Sequence, residues 1–213
     1  MEERTTATIA RLLRQGQWHL LEKLVRLGIP TEGNTSRSDF QQSISDNLIV
    51  HSICRFQAPL HIVSLFKETC PESFTTFDAM GRYPLHIACA WGNRPDTIKF
   101  LIDSYPVAAN TQDFDGRCPI HHLCRTYKLQ YQNNECLSVV DSMMMIVQIL
   151  NSVAPMSFAV EDEDGKNAVE HAVEAEVDMK VIKAVQHACR DMWKEMKKKT
   201  TDTLTLSTDT PWV

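Results

Sequence analysis

Apolar positions along the chain fall into short runs with helical spacing, set in pairs and parted by polar turns. Ile9 to Leu13 and Trp18 to Leu27 make two amphipathic stretches broken at Gly16. Asp96-Thr97-Ile98-Lys99-Phe100-Leu101-Ile102-Asp103 is apolar along one face, and Pro106 is placed to stop it. Toward the end, Val181, Ile182, Val185, Ala188, Cys189 and Met192 mark one side of a long helix predicted over Val177 to Lys199. Its last turn, Lys197-Lys198-Lys199, suits the negative end of the helix dipole. Thr200 to Val213, rich in Thr, Ser and Asp, reads as a disordered tail.

The pairs repeat every 35 residues. Tyr83-Pro84-Leu85-His86-Ile87-Ala88-Cys89 returns as Cys118-Pro119-Ile120-His121-His122-Leu123-Cys124, and a weaker copy precedes both at Leu48 to Cys54. His51, His86 and His121 are in phase, as are Cys54, Cys89 and Cys124. The same offset joins Asp78 and Gly81 to Asp113 and Gly116, and Pro71 to Pro106. A further copy opens at Asp162-Glu163-Asp164-Gly165, where Gly116 to Gly165 and Pro106 to Pro155 both span 49 residues. An insertion near residues 127–140 accounts for the excess. Each period predicts a turn, a short helix, a second short helix and a loop. Asp-x-x-Gly supplies the turn, and Pro84 and Pro119 sit at the first helical position, where a missing N–H costs nothing.

Asp-x-x-Gly-Arg-x-Pro-Leu-His-x-Ala at 78–88 resembles the opening of an ankyrin repeat, and the likeness is strongest over residues 78–125. It implies an all-α, ankyrin-type solenoid of stacked helix-turn-helix repeats with β-turn fingers. Residues 1–199 would form one domain of about five repeats with atypical ends, followed by the tail at 200–213. In such a family the finger tips and first helices bind partners. The chain departs from the pattern at several points. Tyr83 and Cys118 stand where a capping threonine is expected, so the usual cap and its hydrogen bond to histidine should not form. Glycine between the helices survives only at Gly16 and Gly92, and the copy at 162–175 lacks the proline and the in-phase histidine.

Composition narrows the function. The formal net charge of -5 disfavours binding to nucleic acid, and no apolar run reaches the ~18 residues that would span a membrane. Seven cysteines without framework spacing fit a reducing compartment, so the cytoplasm, with the nucleus also open, is the expected location of a monomer. No Gly-x-Ser-x-Gly elbow, phosphate-binding loop or His-Glu-x-x-His helix occurs, so no catalytic residue is assigned. A zinc site at Cys118, His121, His122 and Cys124 is set aside because His121 and Cys124 recur as repeat-building residues and no Cys-x-x-Cys pair completes it. No metal or cofactor is expected.

Residues that hold the stack are then His51, His86, His121, Pro84, Pro119, Gly81 and Gly116. Those left to meet a partner protein or peptide are Met80, Arg82, Phe114 and Arg117 on the fingers, and Phe56, Trp91, His122 and Arg125 on the first helices. Phe56 and Trp91, 35 apart, are aromatic candidates for an interface centre, with packing beneath a loop as the alternative. The polar insertion Tyr127 to Asn134 and the run Glu161 to Asp178, with eight acidic residues against Lys166 alone, are further candidates. The reading is an adaptor, scaffold or inhibitor that acts by protein recognition; a regulatory subunit of a larger assembly comes second, and a thiol- or metal-dependent enzyme third.

Overall fold

The computed structural model describes residues 2–27, 48–130 and 138–206, which form ten α-helices and three 3-10 turns, with no strand among them. The helices come as five antiparallel pairs: α1 (Glu2–Arg14) with α2 (Trp18–Leu27), α3 (Ile49–Arg55) with α4 (Leu60–Thr69), α5 (Pro84–Ala90) with α6 (Pro95–Ser104), α7 (Pro119–Gln130) with α8 (Val139–Val153), and α9 (Ala168–Glu174) with α10 (Met179–Leu206). First helices pack in the row α3, α5, α7, α9. Second helices pack in the row α2, α4, α6, α8, α10. The core lies between the rows and is continuous from Ile9 to Ala188, because a unit of this size cannot enclose its own apolar face and shares it with its neighbours. The expected all-helical repeat stack is what the chain forms.

The recurring prolines have two jobs. Pro84 and Pro119 open first helices, and Pro71, Pro106 and Pro155 each open a 3-10 turn that follows a second helix. Phe74, Ala109 and Phe158 of those turns are buried between layers. Cys54, Cys89 and Cys124 are fully enclosed at the row's centre, filling it as compact apolar side chains.

Four departures from the sequence expectations have local causes. First, the histidine bond survives the loss of threonine. The backbone N–H of Tyr83 donates to Nδ1 of His86 at 3.1 Å, and that of Cys118 to Nδ1 of His121 at 3.0 Å, so no hydroxyl is needed. In α9 the same place is held by Glu170, whose carboxylate accepts from the Asn167 amide at 2.7 Å while Asn167 accepts from Val169 and Glu170. Second, the left-handed residue that ends a first helix is glycine at Gly16 and Gly92, but Gln57 and Glu176 adopt it too, with φ 54° and 49°. Third, where Gly92 ends α5, the in-phase residue is Tyr127. The helix therefore runs on to Gln130, the Tyr127 hydroxyl donates to the Asn93 carbonyl at 3.0 Å, and part of the insertion becomes core. Residues 131–137, which hold the rest of the polar stretch Tyr127 to Asn134, lie outside the described residues. Fourth, the last helix passes Lys199 and continues to Leu206, since no glycine or proline interrupts it. Of the expected tail only 207–213 remain, outside the described residues.

Candidate partner-binding surface

Each finger is closed by its aspartate. Asp78 Oδ1 accepts from the Met80 and Arg82 amides at 2.9 and 3.0 Å; Asp113 does so from Asp115 and Arg117, and Asp162 from Asp164 and Lys166. Fingers are also bonded to one another. The Phe114 amide donates to the Met80 carbonyl at 2.9 Å and the Glu163 amide to the Asp115 carbonyl at 3.0 Å. This closeness explains two glycines beyond their φ near +75°: a Cβ at Gly81 would lie 2.6 Å from the Phe114 ring, and one at Gly116 would lie 2.9 Å from the Glu163 backbone nitrogen.

The second oxygen of each aspartate goes to a different partner. Asp78 Oδ2 accepts from Nε and Nη2 of Arg82 at 2.9 and 2.8 Å. Asp113 Oδ2 accepts from Nε2 of His122, and Asp162 Oδ2 from Nε2 of His171, both at 2.8 Å. Arg117 crosses to the next finger. Its guanidinium donates to Asp115 (2.6 Å), Asp162 (3.1 Å) and Asp164 (2.9 Å), with only 12% of its side chain exposed. Burial opposes ionisation of Asp162, but the Lys166 amide, His171 and Arg117 together hold its carboxyl well below the usual carboxylate range.

The in-phase histidines staple each first helix to the loop of the next unit. Nε2 of His86 donates to the Thr111 carbonyl and that of His121 to the Val160 carbonyl, each at 3.0 Å, while Nε2 of His51 donates to the Arg82 carbonyl at 2.7 Å. With Nδ1 accepting from backbone, the rings of His86 and His121 must be neutral. Burial, aided by the neighbouring His122, lowers His86 to about 3, and burial lowers His121 to about 4. Both nitrogens of each are therefore occupied, and among the described residues no group of three His, Cys, Asp or Glu side chains could hold a metal ion. Burial also pushes the thiols of Cys54, Cys118 and Cys124 up to about 12, which leaves them protonated and poor nucleophiles.

Two of the eight residues assigned to a partner are thus spent inside. His122 is 7% exposed and bonded to Asp113, and Arg117 is held between fingers. Arg82 and Arg117 are in fact 35 apart, with Lys166 another 49 on, so all three are recurring positions, although only Arg117 bonds to the next finger while Arg82 and Lys166 pair within their own units. Phe56 is half-buried against the core, and the group that meets Trp91 is Arg55, whose guanidinium lies 4.8 Å from the indole centre. Arg55 and Arg125, two periods apart, are both exposed.

Open to solvent on the finger side are Phe77, Met80 and Phe114, at 55%, 43% and 61% exposure. Phe77 packs edge-on against Phe114 at 6.3 Å and Tyr83 at 5.8 Å, and Tyr83 contacts Tyr105. Phe77, Tyr83 and Tyr105 were not singled out from sequence. An aromatic directly before the Asp of a solvent turn was the available signal for Phe77. Along the first helices lie two clefts. One, of about 270 Å³, is lined by Ser52, Arg55, Asp78, Arg82 and Trp91; the other, of about 300 Å³, by Arg117, Arg125, Asp164, Lys166 and Glu174. Fingers and clefts form one side of the molecule because both belong to the turn and first helix of each unit.

Residues 80–111 match the family model described as "Ankyrin repeat", which is the stretch from the first finger through α6 to the next turn. No curated protein matches the chain. No helix among the described residues is long and apolar enough to cross a membrane.

Proposed function

We propose that the chain is a protein-recognition module, an adaptor, scaffold or inhibitor that holds a partner protein or peptide against its fingers and first helices and carries out no chemistry of its own. One observation supports this above the rest: the recurrent histidines, cysteines and prolines are internal, while large apolar side chains stand exposed and in mutual contact on the fingers, beside open clefts. Phe77 and Phe114 touch across neighbouring fingers, yet each stays more than half exposed to solvent, and exposed apolar surface gathered in one place marks an interaction site. The match to an ankyrin repeat points the same way, since such repeats serve as binding modules. Met80, Phe114, Trp91 and Arg125 remain the contact residues from sequence, joined by Phe77 and Arg55.

The test is affinity capture from native extract with mass spectrometry, comparing the natural chain with Met80→Asp/Trp91→Ala. Met80 is exposed and Trp91 only partly so, packed against the core, so the variant is compared after circular dichroism shows its helices intact, with a lower melting temperature expected from the lost indole packing. Partners reproducibly captured by the natural chain and lost by the folded variant are the expected result. A folded variant that keeps every partner contradicts the proposal.

A further inference from the structure

The three fingers form a row with a chemical gradient. The residue after the aspartate is Ala79, then Phe114, then Glu163; the next is Met80, then Asp115, then Asp164. The backbone bonds from Phe114 to Met80 and from Glu163 to Asp115 make these tips consecutive rungs. At one end the exposed rings of Phe77 and Phe114 pack on each other, and exposed Met80 is backbone-bonded to Phe114 beside them.

At the other end the charge balance is negative. The cations of the row are already committed: Arg82 to Asp78, Arg117 to three aspartates, and Lys166 to Glu174. Glu161 and Glu163 are exposed and have no ion-pair partner among the described residues. Arg125 of α7 lines the cleft with Asp164 and Glu174, which leaves Glu161 and Glu163, among the described residues, as the carboxylates without a cation beside the apolar strip, and that pairing is complementary to one chemistry. Aromatic contact supplies the binding energy, and charge supplies orientation and speed of encounter.

We infer that the finger row binds an extended, basic segment of a partner protein, with an apolar side chain seated on Phe77, Met80 and Phe114 and lysine or arginine residues lying over Glu161 and Glu163. This rests on the proposed function and specifies the partner's chemistry. A second copy of this chain is the competing occupant, because Trp193 of α10 is an exposed aromatic beside the exposed Lys194, a cation shared with Asp191.

A phage-displayed library of random peptides is selected on the full chain, and the enriched consensus is synthesised and titrated by fluorescence anisotropy. The expected consensus has a net positive charge and an apolar anchor. Its Kd should rise about tenfold in Phe114→Asp. In Glu161→Lys/Glu163→Lys it should rise about threefold, and added salt should weaken binding to the natural chain. An acidic or uncharged consensus, or an unchanged Kd in Phe114→Asp, overturns the inference. So does self-association of the chain, measured by sedimentation velocity and abolished by Phe114→Asp. A non-basic peptide lost only in Trp91→Ala would leave recognition standing on the first helices while this inference falls. A library with no enrichment counts against the proposed function itself.

Discussion

The fingers at 78–82 and 113–117 share the pattern Asp-x-x-Gly-Arg, yet their arginines end in different places. Arg82 folds back on Asp78 within its own finger, whereas Arg117 reaches across to Asp162 and Asp164 of the next. The position nine residues after the aspartate decides between them. In the first unit it is Ile87, which leaves Asp78 Oδ2 for the arginine. In the second it is His122, which takes Asp113 Oδ2 and frees Arg117 to bridge fingers. The histidine thus goes with a joint between units in place of a closed turn, and the joint also needs the acceptors Asp162 and Asp164 that the next finger offers.

Removing the joint should have the largest effect. Asp162 is fully buried at its side chain, so Arg117→Ala leaves a carboxylate short of its cation and is expected to cost about 3 kcal/mol in urea unfolding at pH 7. Arg82→Ala removes a partly exposed pair within one turn and should cost less than about 1 kcal/mol. Equal losses would dissolve the distinction between the two fingers. His122→Ile, which copies the first unit, uncovers Asp113 Oδ2 at a cost of about 1–2 kcal/mol. A double-mutant cycle should then show coupling to Arg117, because the released carboxylate competes for that guanidinium.

Acid should loosen the histidine staples. The folded chain keeps His86 and His121 neutral, at about 3 and about 4, while in the unfolded chain they titrate near 6.5. Protons therefore favour the unfolded state as pH drops. The stability due to neutral rings is present above pH 6.5, declines below it, and is gone once pH has passed through the folded values. Asp113 and Asp162, held below the usual carboxylate range, add a loss of the same sign at lower pH. Urea midpoints at pH 7, 5.5 and 4.5 should fall in that order, and a flat profile would remove the staples from the account.

Much of the stack could be read from the chain. Recurrence at 35 residues located the prolines, the stapling histidines and the cysteine column, because those positions answer to the neighbouring unit and so must repeat. The same arithmetic assigns an insertion to residues 127–140, of which 131–137 lie outside the described residues. What escaped was set by geometry between units: nothing in Asp-x-x-Gly-Arg says whether the arginine stays home. His122 looked free because its 35-residue counterpart is Ile87, although His171 lies 49 residues on and makes the same bond. Left-handed Gln57 and Glu176 were hidden because non-glycine residues stand there. Gln57 is compensated by bonds from its amide to the Trp91 and Gln130 carbonyls. Among the described residues Glu176 has no such bond from its side chain, so Glu176→Gly should give the smallest effect in the series, a gain of up to about 1 kcal/mol.

The central claim is that the fingers and first helices, besides joining neighbouring units, present the surface that a partner covers, while the second helices do not. Hydrogen exchange of the natural chain, alone and saturated with the peptide selected on it, tests this without altering a residue. The account predicts added protection in the fingers at 77–83 and 112–118 and in the first helices α3 and α5, with the second helices α6 and α8 unchanged. Protection confined to α6 and α8, with the fingers exchanging as before, would contradict it.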